Sequence, residues 1–186
     1  LAAIDWDRIG AYVQNYVLNP QSFKAPGEIR PPEIIPAQPT GELAELRAKA
    51  RKRGEGLLAD GKVAAFVVAG GQGTRLGFEG PKGDFPVSPI KNKTLFRIFA
   101  ESVTAASKKY HTPCPWYIMT SPVNHDQTIE IFRKNDYFGL DRKNVFLFQQ
   151  GTLPNFDFDG NILLSGKSTI ACSPDGHGGS LKALYE

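Results

Sequence analysis

The sequence predicts an α/β domain with a mostly parallel sheet over residues 61–186, preceded by an accessory helical and proline-rich region over residues 1–60. Three observations predict it. Short apolar runs rich in β-branched or aromatic residues recur at 62–69 (KVAAFVVA), 115–120 (PWYIMT) and 145–150 (VFLFQQ). Segments of helical period separate them, which is the alternation a parallel sheet needs for its crossovers. The first run passes at once into glycines, as a buried strand does when it feeds a ligand-facing loop.

The elements follow in order. Ile9, Tyr12, Val13, Tyr16 and Val17 fall on one helical face, with Asp5 as N-cap and Asn19-Pro20 as the stop. Residues 20–40 carry Pro20, Pro26, Pro31, Pro32, Pro36 and Pro39, which exclude helix and central strand and predict an extended strap. Thr40 is placed to cap a second helix over roughly 41–58, with Leu43, Leu46, Ala50 and Leu57 on one side and Gly61 as its end. After the first strand, Thr94 caps a helix whose expected face is Leu95, Ile98, Phe99, Val103 and Ala106. Asn124 and Gln127 have capping-box spacing ahead of a helix holding Ile129 and Phe132. Asp159-Gly160, between Phe156/Phe158 and Ile162/Leu164, is a hairpin signal. A glycine-rich loop spans 171–179, and a further helix begins near Ser180.

Composition narrows the function classes. The net charge of +3 is too small and too dispersed for a nucleic-acid footprint. The basic run Arg47 to Arg53 is flanked by Glu42, Glu45 and Glu55 and reads as a solvated helix face. No apolar run approaches the ~20 residues that cross a bilayer. The two cysteines, Cys114 and Cys172, and the three histidines lack metal-ligand spacing, which favours a reduced, cytoplasmic setting and gives no metal-ligand candidate within 1–186. The chain begins at Leu1 without a signal-like segment, and its natural N-terminus is expected to precede that residue. The phenylalanines 146, 148, 156 and 158 read as core and hairpin packing, Trp116 and Tyr117 as core and half-core, and Asp157 and Asp159 as solvated turn residues.

The segment that carries chemistry is Ala69-Gly70-Gly71-Gln72-Gly73-Thr74-Arg75-Leu76-Gly77, followed by Pro81-Lys82-Gly83. Glycines after a buried strand let backbone N–H groups converge on one point, which suits phosphates. Arg75 adds a fork of donors and Lys82 a point charge. Two cations and a ring of amides point to a polyphosphate. The spacing is not the G-x-x-x-x-G-K-[ST] phosphate loop. Gly71, Gly73 and Gly77 give G-x-G-x-x-x-G, one residue too long for the dinucleotide fingerprint.

The run GGQGTRLG with the following PKG resembles the signature loop of sugar-nucleotide pyrophosphorylases. The chain is similar, more narrowly, to the UDP-N-acetylhexosamine and UDP-glucose pyrophosphorylase family. The resemblance continues through KTLF at 93–96, PWYIMTS at 115–121, YFGL at 137–140, FQQG at 148–151, Leu153-Pro154 and PDG at 174–176, and so covers about 62–184. It implies a Rossmann-like nucleotide-diphospho-sugar transferase fold of the GT-A type, three layers α/β/α, and a uridylyltransferase that joins UTP to a sugar 1-phosphate with Mg²⁺. It implies that Ala69, Gly70, Gly71, Gly73 and Thr74 wrap the nucleotide and that Arg75 holds the β and γ phosphates. Lys82 is implied to meet the α-phosphate. Gln149 or Gln150, with the Gly176 loop, would read uracil. The loop Pro174 to Gly179 (PDGHGG) combines the acetylhexosamine pattern PDGNGG with the histidine of the glucose pattern PPGHGD, which places His177 at the sugar or its phosphate. The sugar pocket, an acidic metal-binding segment and a further phosphate-binding lysine fall outside 1–186, so 61–186 is expected to be the N-terminal part of the catalytic domain.

The sugar is expected to be N-acetylglucosamine 1-phosphate, with glucose or galactose 1-phosphate as the alternative. A non-catalytic nucleotide-binding module is the second class, against which the presence of both Arg75 and Lys82 argues. A dinucleotide-dependent oxidoreductase is the third, disfavoured by the glycine spacing.

Overall fold

The computed structural model describes residues 5–20, 22, 27–176 and 178–185. His177 therefore lies outside the described residues, as does part of the proline strap. Contacts divide the chain into two compact units. One draws on the N-terminal residues up to Ile34 together with Thr152–Asp175; the other on Ile35–Gly151 with Gly176–Glu186.

The larger unit is built on three parallel strands, β1 (Ala65–Val68), β2 (Trp116–Thr120) and β3 (Val145–Gln149), in the order β1-β2-β3. The register aligns Val68 with Met119 and Met119 with Phe148, so the strands end together and Ala69, Thr120 and Gln149 share one edge. Helices α2 (Gly41–Ala59), α3 (Leu95–Tyr110), α4 (His125–Lys134) and α5 (Gly179–Tyr185) belong to the same unit. One sheet face carries Ala65, Val67, Trp116, Ile118, Val145 and Leu147, and it packs against Phe96, Ala100 and Val103 of α3 and Phe132 of α4. Phe132 is fully buried, with ring centroids 5.1 Å from Phe96, 5.5 Å from Trp116 and 5.1 Å from Phe138. Each such aromatic contributes roughly 1.5–3 kcal/mol by burial.

The opposite face differs from the expectation of strands buried on both sides. Phe66 and Phe146 are each 42% exposed, and β1 alternates between half-buried and exposed positions. Among the described residues, α3 and α4 supply the core from one side, so alternation replaces the uniform burial expected of a covered parallel strand.

Helix α3 starts where expected: Thr94 Oγ1 accepts from the N–H of Arg97 at 3.2 Å. Its buried stripe is Phe96, Ala100 and Val103, while Phe99 of the expected face is 38% exposed. Helical period alone did not select the stripe, because Leu95, Phe96, Ile98 and Phe99 are all apolar. Helix α2 also corrects its expectation. Leu43 and Leu46 are 40% and 57% exposed and none of its residues is buried; Thr40 stands at the N-cap but makes no side-chain cap bond. It is tied to α3 by the Thr112 hydroxyl, which donates to the Ala59 carbonyl at 2.8 Å.

After α4 the backbone holds Asp136, Tyr137, Phe138 and Gly139 in succession at positive φ (47°, 49°, 56° and 83°). Left-handed backbone costs a non-glycine residue roughly 1–2 kcal/mol. Burial of Phe138 between Phe96 and Phe132 offsets that strain.

The smaller unit begins with α1 (Trp6–Tyr12), whose N-cap Asp5 accepts from the N–H of Arg8 at 3.0 Å, as expected. It continues as a π-helix over Val13–Leu18, which periodicity of the sequence did not foretell. Ile9, Tyr12, Val13, Tyr16 and Val17 face a cavity of about 420 Å³ with Leu153, Pro154 and Phe156. Strands β4 (Thr152–Pro154) and β7 (Cys172–Pro174) pair antiparallel, as do β5 (Leu164–Gly166) and β6 (Thr169–Ile170). Phe156 bridges Ile162 around the expected turn, with Gly160 at φ 84°. Phe158, expected to pack, is 99% exposed because it lies in the turn itself.

Asp157 does more than face solvent. Its carboxylate accepts from the N–H of Asp159 at 3.0 Å, the N–H of Asn161 at 2.8 Å and the Asn161 amide at 3.0 Å. Hydrogen bonds from Asn161 hold its pKa below the ordinary carboxylate value. For a depressed folded-state pKa, the stabilisation is fully present above the unfolded-state pKa and is lost as pH falls through the folded one. Amide exchange at Asp159 and Asn161 is expected to quicken on acidification, after correction for intrinsic rates, and already at neutral pH in Asp157→Ala. Unaltered exchange in the variant would remove the carboxylate from this role.

Candidate functional site

The glycine loop leaves β1 at the shared edge. The N–H of Ala69 donates to the Met119 carbonyl at 2.6 Å, the last sheet bond before the chain turns away. Residues 71–73 then run antiparallel to 80–82. Gly73 N–H donates to Gly80 O at 2.8 Å and Lys82 N–H to Gly71 O at 3.0 Å, around the bridge between Gln72 and Pro81. Among the described residues, no hydrogen bond takes up the N–H of Gly70, Gly71 or Gln72. Three consecutive free amides are a binding surface for an anion.

The glycines at 70, 71 and 73 serve close approach rather than left-handed backbone, since none has positive φ. A Cβ on Gly70 would lie 3.3 Å from both Gln150 Oε1 and Ser121 Cβ. One on Gly73 would lie 2.7 Å from the Phe78 ring. One on Gly71 would lie 3.5 Å from Lys82 Nζ, which places the ammonium beside the free amides. Gly77, at φ 66°, ends a 3₁₀ turn over Thr74–Leu76.

The structure thus brings together Ala69, Gly70, Gly71, Gly73, Lys82 and Gln150. It separates the two glutamines that the sequence left open. Gln149 is exposed at the end of β3, whereas Gln150 is 8% exposed, anchored by its N–H to Thr120 O at 2.8 Å, with its amide against Gly70. Thr74 and Arg75 are exposed in the 3₁₀ turn, and among the described residues nothing pairs with the Arg75 guanidinium. Gly176, at φ 78°, accepts from the Gly179 N–H, and no described contact joins it to the glycine loop.

Sequence reasoning missed Ser121 and Asn124. Asn124 was expected to cap α4 with its side chain, yet it makes no such bond. Its Oδ1 accepts from Ser121 N–H at 2.9 Å and the Ser121 hydroxyl at 3.0 Å; its Nδ2 donates to Ala69 O at 2.9 Å and Gly71 O at 3.4 Å. The signal available was the S-x-x-N spacing just past a strand, at the same edge as the loop. Gln127, the other half of the expected box, instead lies beside Gly80, whose Cβ would be 3.1 Å from Gln127 Nε2. Nearby, the Thr120 hydroxyl donates to Phe148 O at 3.0 Å and meets His125 Nδ1 at 2.7 Å. Its one proton is committed to the carbonyl, so Nδ1 is the donor.

Two buried oxygens, Gln72 Oε1 and Asp175 Oδ1, have no hydrogen-bond partner among the described residues. Burial raises the Asp84 carboxyl above its ordinary pKa. Among the described residues no cluster of three or more His, Cys, Asp or Glu side chains is arranged to hold a metal. None of the described helices is long and apolar enough to cross a membrane.

A parallel α/β sheet with its open loops gathered at the carboxyl ends of the strands defines an α/β domain of the nucleotidyltransferase architecture. The chain belongs to the UDP-sugar pyrophosphorylase family: residues 14–186 match the family described as UTP–glucose-1-phosphate uridylyltransferase. It is 40% identical over 164 residues to a UDP-N-acetylglucosamine pyrophosphorylase of Saccharomyces cerevisiae, covering 83% of this chain and 34% of that protein. It is 39% identical over 162 residues to the human UDP-N-acetylhexosamine pyrophosphorylase-like protein 1, covering 84% of this chain and 32% of that one. The crystal structure of the Trypanosoma brucei uridine diphosphate N-acetylglucosamine pyrophosphorylase in complex with inhibitor matches at a TM-score of 0.69 and 30% identity, over 78% of this chain and 30% of that one. The chain therefore spans about a third of the length of these relatives.

Proposed function

We propose that this chain supplies the nucleotide-binding part of a cytoplasmic uridylyltransferase. The reaction joins UTP to a sugar 1-phosphate, first N-acetylglucosamine 1-phosphate, and releases pyrophosphate. Residues 61–186 form the N-terminal part of its catalytic domain and residues 1–60 an accessory region. The observation that carries the proposal is the run of free amides at Gly70, Gly71 and Gln72, with Lys82 Nζ beside Gly71 and the Gln150 amide against Gly70.

In this reading the amides and Lys82 receive the phosphates. Gln150, rather than Gln149, presents both a donor and an acceptor to the uracil edge, while the absence of a Cβ at Gly70 lets the base approach. Arg75 holds the β and γ phosphates from the exposed 3₁₀ turn, and Thr74 and the Gly176 loop complete the nucleotide contacts. His177 serves the sugar phosphate. The sugar phosphate is already ionised and attacks the α-phosphorus in line, so no protein base is needed. Charge building on the phosphoryl oxygens and the leaving pyrophosphate is met by fixed cations and amides that do not reorganise. Mg²⁺ would be held by the acidic segment expected outside residues 1–186 and would supply charge neutralisation at the phosphates.

The test is uridylyl transfer by the full-length gene product, supplied with UTP, Mg²⁺ and N-acetylglucosamine, glucose or galactose 1-phosphate. Pyrophosphate release that requires one of these sugar phosphates names the substrate. UTP binding with no release from any of them would favour a non-catalytic nucleotide-binding module.

A further inference from the structure

We propose that Asn124 is a positioning residue that aims the amides of the glycine loop at the nucleotide; the inference rests on the nucleotide-site reading above. Asn124 is fully buried, and its carboxamide uses its full capacity of two donated and two accepted hydrogen bonds. Its orientation is fixed by its partners. The carbonyls of Ala69 and Gly71 can only accept, and the Ser121 N–H can only donate, so Nδ2 must face the loop and Oδ1 must face Ser121.

The consequence follows from peptide geometry. In a trans peptide unit the C=O and the next residue's N–H point in opposite directions. Among the described residues there is no cis peptide bond. Tying the Ala69 carbonyl to Asn124 therefore turns the Gly70 N–H away from Asn124, and tying the Gly71 carbonyl does the same for the Gln72 N–H. These are two of the three free amides of the site. Lys82 N–H shares the Gly71 carbonyl at 3.0 Å, so the same clamp joins the lysine-bearing strand to the aimed amides. Asn124 never touches the nucleotide in this arrangement; it acts through the loop.

Asn124→Asp isolates the role. The aspartate keeps the acceptor for Ser121 and suits a helix N-terminus, but it sets a carboxylate oxygen against two carbonyls. Asn124→Ser is the second variant: it retains an N-cap residue and is too short to span both carbonyls.

The experiment is an amide-resolved titration of the full chain and both variants with the Mg²⁺ complex of UTP and with uridine, alongside thermal melts. In each variant the ratio of UTP to uridine affinity is expected to fall about tenfold or more, the equivalent of one or two lost hydrogen bonds to a charged group. Uridine affinity should stay within about twofold, because the clamp aims the phosphate-facing amides. A folded Asn124→Asp, or a folded Asn124→Ser if the first does not fold, with the wild-type ratio overturns the proposal. If the wild type binds no UTP, the nucleotide-site reading itself fails. Amide exchange then still decides the clamp. Faster exchange at Gly70 and Gln72 in a variant, with α3 unchanged, supports it, and unchanged exchange overturns it.

Discussion

Lys82→Ala is expected to lower uridylyl transfer by roughly 10²–10³-fold while leaving the fold intact, the effect typical of removing one fixed charge from a developing oxyanion. The side chain is exposed, and among the described residues it has no ion-pair partner. Its charge is therefore not used to hold the structure, and surface substitutions of that kind stay within about 0.5 kcal/mol. What it does have is a place: Nζ stands 3.5 Å from the point a Gly71 Cβ would occupy, next to three unpaired amides. The loop itself survives the change, since the bond from Lys82 to Gly71 O runs through the backbone. Pyrophosphate release and the melting temperature, measured together, check this. A variant that keeps more than half of the activity would move the phosphate site away from Lys82. Lys82→Arg is expected not to restore the rate, because a planar fork does not replace a point charge at a site shaped for one.

Gly83→Ala, one residue on, is expected to do the reverse and to strike stability first. A Cβ on Gly83 would be driven into the ring of Phe96. That ring is 1% exposed and is packed edge-on against Phe132 at 5.1 Å, with Phe138 at 6.4 Å, so it has nowhere to go. Overpacking of this kind costs about 3 kcal/mol or more. For a chain of this size that corresponds to a fall in Tm of about 10 °C. Gly83→Ala with a wild-type Tm would mean that α3 does not press on the loop as described. The pair of variants separates chemistry from scaffold at adjacent positions.

Much of this was legible in the sequence because it depends on local chemistry. The three strands, their parallel order and the glycine loop at their carboxyl ends follow from apolar runs and glycine placement, and Thr94 caps α3 as its side chain predicts. What was not legible depends on the far side of a contact. Asn124 carries the same signal whether its amide bonds to its own helix or to a loop 55 residues earlier. Gln149 and Gln150 are chemically identical, and only the pleat of β3 decides which one is buried. The stripe of α3 is legible at Val103 but not at Phe96 and Ala100, because several adjacent positions are apolar and the sheet beneath, not the helical period, selects Phe96 over Phe99. The exposed Leu43 and Leu46 of α2 show the same limit, since an apolar face in sequence says nothing of what covers it.

The most direct test of the site is a titration of the chain with the Mg²⁺ complex of UTP, followed at resolved backbone amides. Saturable shifts are expected at Gly70, Gly71, Gln72, Ser121 and Gln150, with Lys82→Ala weakening them. An absence of shifts, or shifts centred instead on the opposite end of the sheet around Ser107, His111 and Asn144, would contradict it.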